Sequence, residues 1–167
     1  MDSNKNIRKA YFASGCFWGV EYFFSRASGV TRTTVGFMGG NVDNPTYPQV
    51  CTGTTGHLEC VEVEYDTKRT SYENLITLFF ETHDFTQTDG QGPDIGSQYL
   101  SCIFYTNEKE KAVAENCIDR LGRMGYRVAT QLRPASTFWI AEDYHQQYYK
   151  HKGKGTQPYC HSYKKIF

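Results

Sequence analysis

The order of hydrophobic periodicities along the chain constrains its fold more than any other sequence feature. Apolar residues that alternate with polar ones, or cluster with β-branched residues, predict strands at 8–14, 30–38, 57–65, 98–106 and 126–132. Apolar residues that recur every three or four positions predict helices at 16–27, 71–82, 107–121 and 141–151. A capping box is predicted at the start of the second helix, from Thr70 and Glu73. Two segments rich in Gly, Pro, Asn and Asp, 41–56 and 83–97, are predicted to be long loops.

The first six of these elements follow the order β-α-β-β-α-β, which is that of the ferredoxin-like split βαβ arrangement. We therefore expect an α+β fold with a mixed or antiparallel sheet and helices packed on it. The 167 residues, 39% of them hydrophobic, fit a single domain that spans 1–167. Within it we expect a flexible N-terminus at 1–7 and an irregular C-terminal tail at 152–167.

Charge and hydropathy argue against several classes of function. The 18 basic and 18 acidic side chains cancel, whereas a nucleic-acid binder usually carries a basic excess. No apolar run approaches the roughly 18 to 20 residues that span a bilayer, and the N-terminus lacks the apolar core of a signal peptide. We expect a cytoplasmic monomer that binds neither nucleic acid nor membranes.

The segment GCFWG at 15–19 is the strongest candidate for chemistry. Its glycines permit a tight turn from strand to helix, which would place Cys16 at a helix N-terminus. Unpaired backbone N–H groups and the helix dipole stabilise a thiolate there. Phe17 and Trp18 could form an apolar wall beside the sulfur. The alternative is a buried cysteine with two core aromatics, but the apolar stripe of this helix begins only at Val20, which favours a functional site.

Glu59 is the second candidate, because strand alternation places it on the same face as Val61 and Val63. Burial without a cation keeps a carboxyl group protonated, and a protonated glutamate can serve as a general acid. The alternative is that Glu59 lies beyond the strand edge in water, and alternation alone leaves both open.

The two long loops supply the remaining polar candidates: Tyr47, Asp94 and Tyr99. A phenol hydroxyl can hold a polar substrate oxygen. Each of these residues could equally be a turn residue or a half-buried tyrosine.

The other cysteines and the histidines leave several options. Cys160 lies in a basic tail, where an exposed thiol could act as a resolving cysteine or have no role, and Cys51 lies in a loop and could also be reactive. His57 could form an acyl-transfer dyad with Cys16. Cys51, His57 and Cys60 lack a second ligand cluster, so we expect no metal site.

Nucleotide-binding motifs are also missing from the sequence. It contains neither a Walker-type phosphate loop nor a dinucleotide motif. The thiol is therefore expected to act without a bound cofactor.

Five segments in order resemble the MsrA type of peptide methionine sulfoxide reductase. They are GCFWG at 15–19, VGFMGG at 35–40, PTYPQVCTGTTGHLECV at 45–61, QGPDIGSQYLS at 91–101 and AEDYHQQYY at 141–149. One such motif would be weak evidence, whereas five in order, over nearly the whole chain, are specific.

The resemblance implies a role for each candidate. Cys16 would attack the sulfoxide sulfur, Phe17 and Trp18 would hold the substrate methyl group, and Glu59 would protonate the sulfoxide oxygen. Tyr47 and Tyr99 would hydrogen-bond that oxygen, with Asp94 organising the polar side of the pocket.

The resemblance also implies the course of the reaction. The substrate would be methionine S-sulfoxide, free or in peptides, in the repair of proteins after oxidative stress. Cys16 would become a sulfenic acid, which Cys160 would convert to a disulfide. Thioredoxin or glutaredoxin would then reduce that disulfide.

Several points stay open at this stage. Cys51 or an external thiol could resolve the sulfenic acid instead of Cys160. Two rival functions also remain: an acyl transferase or hydrolase that uses Cys16 and His57, and a non-catalytic domain that captures a methyl-bearing side chain.

Overall fold

The computed structural model of the chain describes residues 6–151, 158 and 161–167. Most of the expected N-terminal segment and half of the expected tail, including Cys160, lie outside these residues. Ile7, expected to be flexible, is instead the first residue of a strand. Within the described part of the chain, no helix combines the length and the apolar character that crossing a membrane requires.

Six strands form one mixed sheet with the order β7-β6-β1-β3-β2-β8. These strands are β1 (Ile7–Ser14), β2 (Val30–Met38), β3 (Leu58–Asp66), β6 (Ser101–Tyr105), β7 (Gln131–Pro134) and β8 (Trp139–Ile140). A separate two-stranded ribbon pairs β4 (Gly90–Gln91) with β5 (Asp94–Ile95). In the sheet, only β6 and β7 pair in parallel.

The predicted α+β fold is confirmed, because β3 lies between β1 and β2, the two strands joined through the first helix. The helices are α1 (Phe17–Ser25), α2 (Tyr47–Cys51), α3 (Tyr72–Glu81), α4 (Glu108–Arg123) and α5 (Tyr148–His151).

Aromatic packing holds α1 and α3 against the sheet. The ring of Phe12 on β1 stacks on Phe24 of α1 at 4.9 Å and lies 5.5 Å from Phe79 of α3. All three side chains are fully buried, so truncation of any one to alanine would cost about 3–5 kcal/mol of stability. This packing positions the start of α1, where the candidate cysteine lies.

The start of α3 differs from the prediction. Ser71, not Thr70, caps the helix, and its Oγ accepts a hydrogen bond from the Asn74 N–H at 3.1 Å. Thr70 instead closes the preceding turn, with its N–H donating to the Asp66 carbonyl at 3.0 Å. Ser71 has the extended backbone that an N-cap requires.

The 41–56 segment is not wholly a loop, because it contains α2. Thr46 caps this helix and forms a capping box with Gln49, and Pro48 lies in its first turn. These are recognised start signals, so the helix could have been found from the sequence.

Two predicted strands are shorter than expected. Ser97–Tyr99 form a 3-10 turn before β6, and β7 starts five residues later than predicted. In the segment before β7, the Tyr126 N–H donates to the carbonyl of Leu121 and the Ala129 N–H donates to that of Phe85. The backbone at these two positions therefore bonds outside the sheet.

The predicted helix at 141–151 is wrong. Residues 141–149, here called the strap, pack against α1 and consist of a 3-10 turn at Asp143–His145, two non-helical residues and the start of α5. Gln146 is extended, and Gln147 has a φ of 54°. The Gln146 amide explains the break, because it accepts from the Val35 N–H at 2.8 Å and donates to the Val35 carbonyl at 2.9 Å.

Candidate active site

Cys16 lies at the N-cap of α1, as predicted from the GCFWG pattern. The carbonyl of Cys16 accepts the N–H groups of Gly19 and Val20 at 3.1 and 3.3 Å, which starts the helix. Gly15 has a φ of 97°, and a Cβ there would lie 2.4 Å from Gln91 Cβ. A glycine is therefore needed both for the turn and for the close approach of the β4–β5 ribbon. The Cys16 side chain is largely buried, with 8% exposed.

Glu59 reaches the first turn of α1 from the neighbouring strand. Its Oε1 accepts a hydrogen bond from the Phe17 N–H at 3.1 Å, and its side chain is 1% exposed. The buried alternative of the sequence analysis is thus the one observed. Glu59 Oε2 is buried and has no hydrogen-bond partner among the described residues. This carboxyl group therefore has one oxygen left to serve a ligand.

The surroundings of Glu59 favour its protonated form. Burial raises the pKa of the carboxyl group well above its usual range, and the nearby Cys16 thiol and Asp94 raise it further. The hydrogen bond from the Phe17 N–H opposes this shift only in part. Glu59 therefore keeps a proton at a pH where an exposed glutamate has lost it.

Two tyrosine hydroxyls lie near Glu59. Tyr47 is the first residue of α2. Its backbone N–H donates a hydrogen bond to Glu142 Oε2 at 3.2 Å, which fixes the start of this helix. Burial raises the pKa of Tyr47 and of Tyr99, and the charge of Glu59 adds to both shifts. Both phenols are therefore proton donors over the physiological pH range.

Asp94 completes the group of polar candidates. It lies on β5 and influences the ionisation of both Glu59 and Tyr99 electrostatically. The tertiary structure thus brings together Cys16, Tyr47, Glu59, Asp94 and Tyr99.

Phe17 and Trp18 differ in their surroundings. Phe17 is 1% exposed, and its ring lies 5.6 Å from Phe37 and 6.2 Å from Tyr47. Trp18 is only half-buried. Trp18 is therefore the member of the pair that offers more apolar surface to a ligand, while Phe17 belongs to the hydrophobic core.

The strap supplies two residues that sequence reasoning missed. His145 Nδ1 accepts a hydrogen bond from Trp18 Nε1 at 2.9 Å, and Tyr148 stacks on the indole with ring centroids 3.7 Å apart. Burial lowers the pKa of His145, so the ring is neutral and carries its proton on Nε2. The AEDYHQQYY motif pointed to this segment, but a helical interpretation placed its side chains incorrectly.

The hydrogen bonds of His57 leave neither ring nitrogen available to act as a base for Cys16. Its side chain is buried; Nδ1 accepts the Gly40 N–H at 3.0 Å, so Nε2 carries the proton and donates it to the Val42 carbonyl at 2.7 Å. Both ring nitrogens are thus used to hold the loop after β2. Among the described residues, no group of three or more His, Cys, Asp or Glu side chains is arranged to hold a metal ion.

We expect His57→Ala to lower stability and to leave the chemistry intact. The substitution leaves the half-buried Gly40 N–H and Val42 carbonyl without these partners, which should cost about 1–3 kcal/mol of unfolding free energy. Urea unfolding measures the loss, and methionine formed per folded chain in a single turnover measures the chemistry. A folded variant that forms no product would instead support the Cys16–His57 dyad.

The two candidate resolving cysteines are placed differently. Cys51 is exposed, and its side chain hydrogen-bonds to Tyr47. Cys160 lies outside the described residues. The next residue, His161, donates from Nε2 to the Ser14 carbonyl at 2.5 Å, and its ring occupies the space that a side chain on Gly19 would need. Burial lowers the pKa of His161 to about 4.

Comparisons with known proteins identify the family of this chain. The chain matches the family model of peptide methionine sulfoxide reductases over residues 8–166. A peptide methionine sulfoxide reductase MsrA from Methanoculleus marisnigri is 49% identical over 158 residues, which cover 93% of this chain and 96% of the relative.

Solved structures give the same result. Methionine sulfoxide reductase A of Corynebacterium diphtheriae matches with a TM-score of 0.81 at 35% identity, over 95% of this chain and 81% of that one. The reduced form of Mxr1 from Saccharomyces cerevisiae matches with a TM-score of 0.86 at 29% identity, over 95% and 93%. The chain described here belongs to the peptide methionine sulfoxide reductase family.

Proposed function

We propose that Cys16 and Glu59 carry the reduction of methionine S-sulfoxide to methionine, with the substrate free or peptide-bound. Family membership makes the chain a thiol-dependent oxidoreductase for methionine sulfoxide. The observation that carries the assignment of residues is the position of Glu59, whose buried carboxyl bonds the backbone N–H directly after Cys16.

The first step begins with the sulfoxide oxygen, which is a poor leaving group until it is protonated. Glu59 supplies the proton, and the hydroxyls of Tyr47 and Tyr99 donate hydrogen bonds to the same oxygen. The Cys16 thiolate attacks the sulfoxide sulfur to form a sulfur–sulfur bond, and the sulfur–oxygen bond breaks as the protonated oxygen leaves as hydroxide. The hydroxide then attacks the Cys16 sulfur, and the sulfur–sulfur bond breaks. The substrate sulfur gains two electrons as methionine leaves, and Cys16 loses two as it becomes a sulfenic acid.

The apolar side of the site orients the substrate. Trp18 contacts its methyl group and the buried Phe17 forms the base of this apolar wall, which directs the oxygen towards Glu59 and the tyrosines. Asp94, at the edge of the β4–β5 ribbon, organises the polar side of the pocket. This two-sided environment suits a sulfoxide, which has an apolar methyl group and a polar oxygen on one sulfur atom.

The second step forms a disulfide. The Cys160 thiol attacks the Cys16 sulfenic acid, and one water molecule leaves. The docking of His161 beside Gly19 supports this assignment, because His161 is joined to Cys160 by one peptide bond. Thioredoxin is the proposed reductant of the disulfide, since the yeast protein Mxr1 has been solved in complex with Trx2. We place the reaction in the cytoplasm, where dithiol reductants keep thiols reduced.

A single-turnover experiment on three proteins tests both steps. Reduced wild type, Cys160→Ser and Cys51→Ser are mixed with a methionine S-sulfoxide peptide without added reductant. We expect about one methionine per chain in all three, since each retains the nucleophile. Mass mapping should find a Cys16–Cys160 disulfide in the wild type and in Cys51→Ser.

Cys160→Ser should instead keep a Cys16 sulfenic acid that dimedone captures. A Cys16–Cys51 disulfide in the wild type would move the resolving role to Cys51. Absence of methionine in the wild type would overturn the proposed reaction.

A further inference from the structure

Glu21 is a buried carboxylate that the proposed reaction does not use. It lies on α1, three residues after Trp18, and is 2% exposed. Its Oε2 accepts the Thr33 hydroxyl at 2.8 Å, and its Oε1 accepts the backbone N–H of Gln147 at 2.7 Å. The Gln147 side-chain amide adds a third hydrogen bond to Oε2 at 3.0 Å.

The surroundings of Glu21 disfavour the charged form of its carboxyl group. All three donors are neutral, and the described residues give it no ion pair. Burial raises the pKa of Glu21, and the hydrogen bonds from Thr33 and Gln147 oppose that shift. Because a buried charge without a cation contributes little to the stability of a core, the hydrogen bonds of Glu21 point to a role in holding another segment in place.

The backbone that Glu21 binds has an unusual conformation. Gln147 has a φ of 54°, in the left-handed region that residues other than glycine rarely adopt. The Glu21 carboxylate accepts both the backbone and the side-chain N–H groups of Gln147, and the side-chain amide also reaches the Thr33 hydroxyl at 3.0 Å. These bonds tie the left-handed residue to α1 and β2 together.

The two residues that hold the indole lie on either side of Gln147. His145 accepts the hydrogen bond of the indole N–H, and Tyr148 stacks on the indole with an interplanar angle of 6°. We call His145 and Tyr148 together the indole clasp. A continuous helix would place these two side chains next to each other on one face, whereas here His145 meets the indole at its N–H and Tyr148 lies over the ring.

We propose that Glu21 is a positioning residue that sets the orientation of Trp18 in the active site. It holds Gln147 in the left-handed conformation, and this conformation assembles the indole clasp. The step from the clasp to substrate binding rests on the proposed role of Trp18 as part of the methyl-binding wall. Glu21 itself touches neither the substrate nor the reacting thiol in this scheme.

The test uses Trp18 as its own reporter. The chain has two tryptophans, so a Trp139→Phe background leaves Trp18 as the only indole. Glu21→Ala and Glu21→Gln are compared with the background protein by tryptophan fluorescence, near-ultraviolet circular dichroism, and kcat and KM for a methionine sulfoxide peptide. We expect a changed Trp18 signal and a KM raised about tenfold in Glu21→Ala, with kcat changed much less, because binding to the methyl group is lost equally in the ground and transition states.

Two further variants separate positioning from general stability. Glu110→Ala removes another buried carboxylate that accepts a backbone N–H, from Thr106 at 2.8 Å, but on α4. It should lower the melting temperature without altering the Trp18 signal or KM. Gln147→Gly keeps the backbone N–H and adopts a positive φ freely, so it should resemble the background protein more closely than Glu21→Ala does.

The outcomes separate this proposal from the reaction itself. An unchanged Trp18 signal and KM in both folded Glu21 variants would overturn the positioning role, and so would equal effects from Glu110→Ala. A changed signal with an unchanged KM would overturn the link to substrate binding. Failure of the reaction would show separately, as a background protein that forms no methionine.

Discussion

A Cys16→Ser variant is expected to form no methionine from methionine sulfoxide, even in a single turnover. The serine hydroxyl is far less nucleophilic than a thiolate at neutral pH, and it cannot take up two electrons to form a sulfenic acid. Loss of the nucleophile should lower the rate by at least about 10⁴-fold. Methionine quantified by chromatography after reaction of stoichiometric protein with a sulfoxide peptide measures the effect.

The Cys16→Ser experiment needs a control for binding. Because Phe17 and Trp18 are unchanged, the variant should still bind the sulfoxide peptide, which the fluorescence of Trp18 reports in the Trp139→Phe background. Cys117→Ser, which alters a half-buried cysteine on α4, should react like the wild type. Methionine formation by Cys16→Ser at a rate close to the wild type would show that another group attacks the sulfur.

Glu59→Gln is expected to cause the second largest loss, about 10²–10⁴-fold in the rate of methionine formation. Glutamine fills the same space and can still accept the Phe17 N–H, but it has no acidic proton to give to the sulfoxide oxygen. Glu62→Gln is the matched control: Glu62 lies on the same strand, faces the other side of the sheet and accepts the Tyr11 hydroxyl at 2.8 Å. Its replacement should leave the rate unchanged.

The proposed role of Glu59 also predicts the direction in which the reaction rate changes with pH. Burial raises the pKa of Glu59, so the carboxyl group remains protonated, and able to donate, to a higher pH than an exposed glutamate. The wild-type rate should therefore fall as the pH rises through this raised pKa. That limb of the profile should be missing from Glu59→Gln. A wild-type limb that persists in the variant would assign it to a different group.

Local patterns were sufficient for the residues that lie on regular elements. The glycine-bounded turn before α1 indicated Cys16, because a helix N-terminus forms wherever a strand must turn directly into a helix. Alternation along β3 placed Glu59 on the same face as Val61 and Val63 but left its burial open, and the structure finds it 1% exposed. In both cases the backbone geometry within about ten residues decides where the side chain lies.

The loop residues could be recognised individually but not brought together. Tyr47 lies on α2, far in sequence from Asp94 on β5 and from Tyr99 in the turn before β6. Their common neighbourhood around Glu59 depends on how α2 and the β4–β5 ribbon dock onto the sheet. No local pattern contains that information, and only the family resemblance joined these residues in advance.

The sequence by itself determined the order of the central strands and helices, the thiol at the start of α1 and the carboxyl group on β3. Only the tertiary structure decided the conformation of the strap and which residues contact Trp18. The pattern of residues 141–151 suits an amphipathic helix, yet Gln146 bonds to the edge of β2 and Gln147 to Glu21. Hydrogen bonds between residues more than 100 positions apart outweigh a local helical preference that is worth only a fraction of a kcal/mol per residue, about 0.7 at most for ordinary residues.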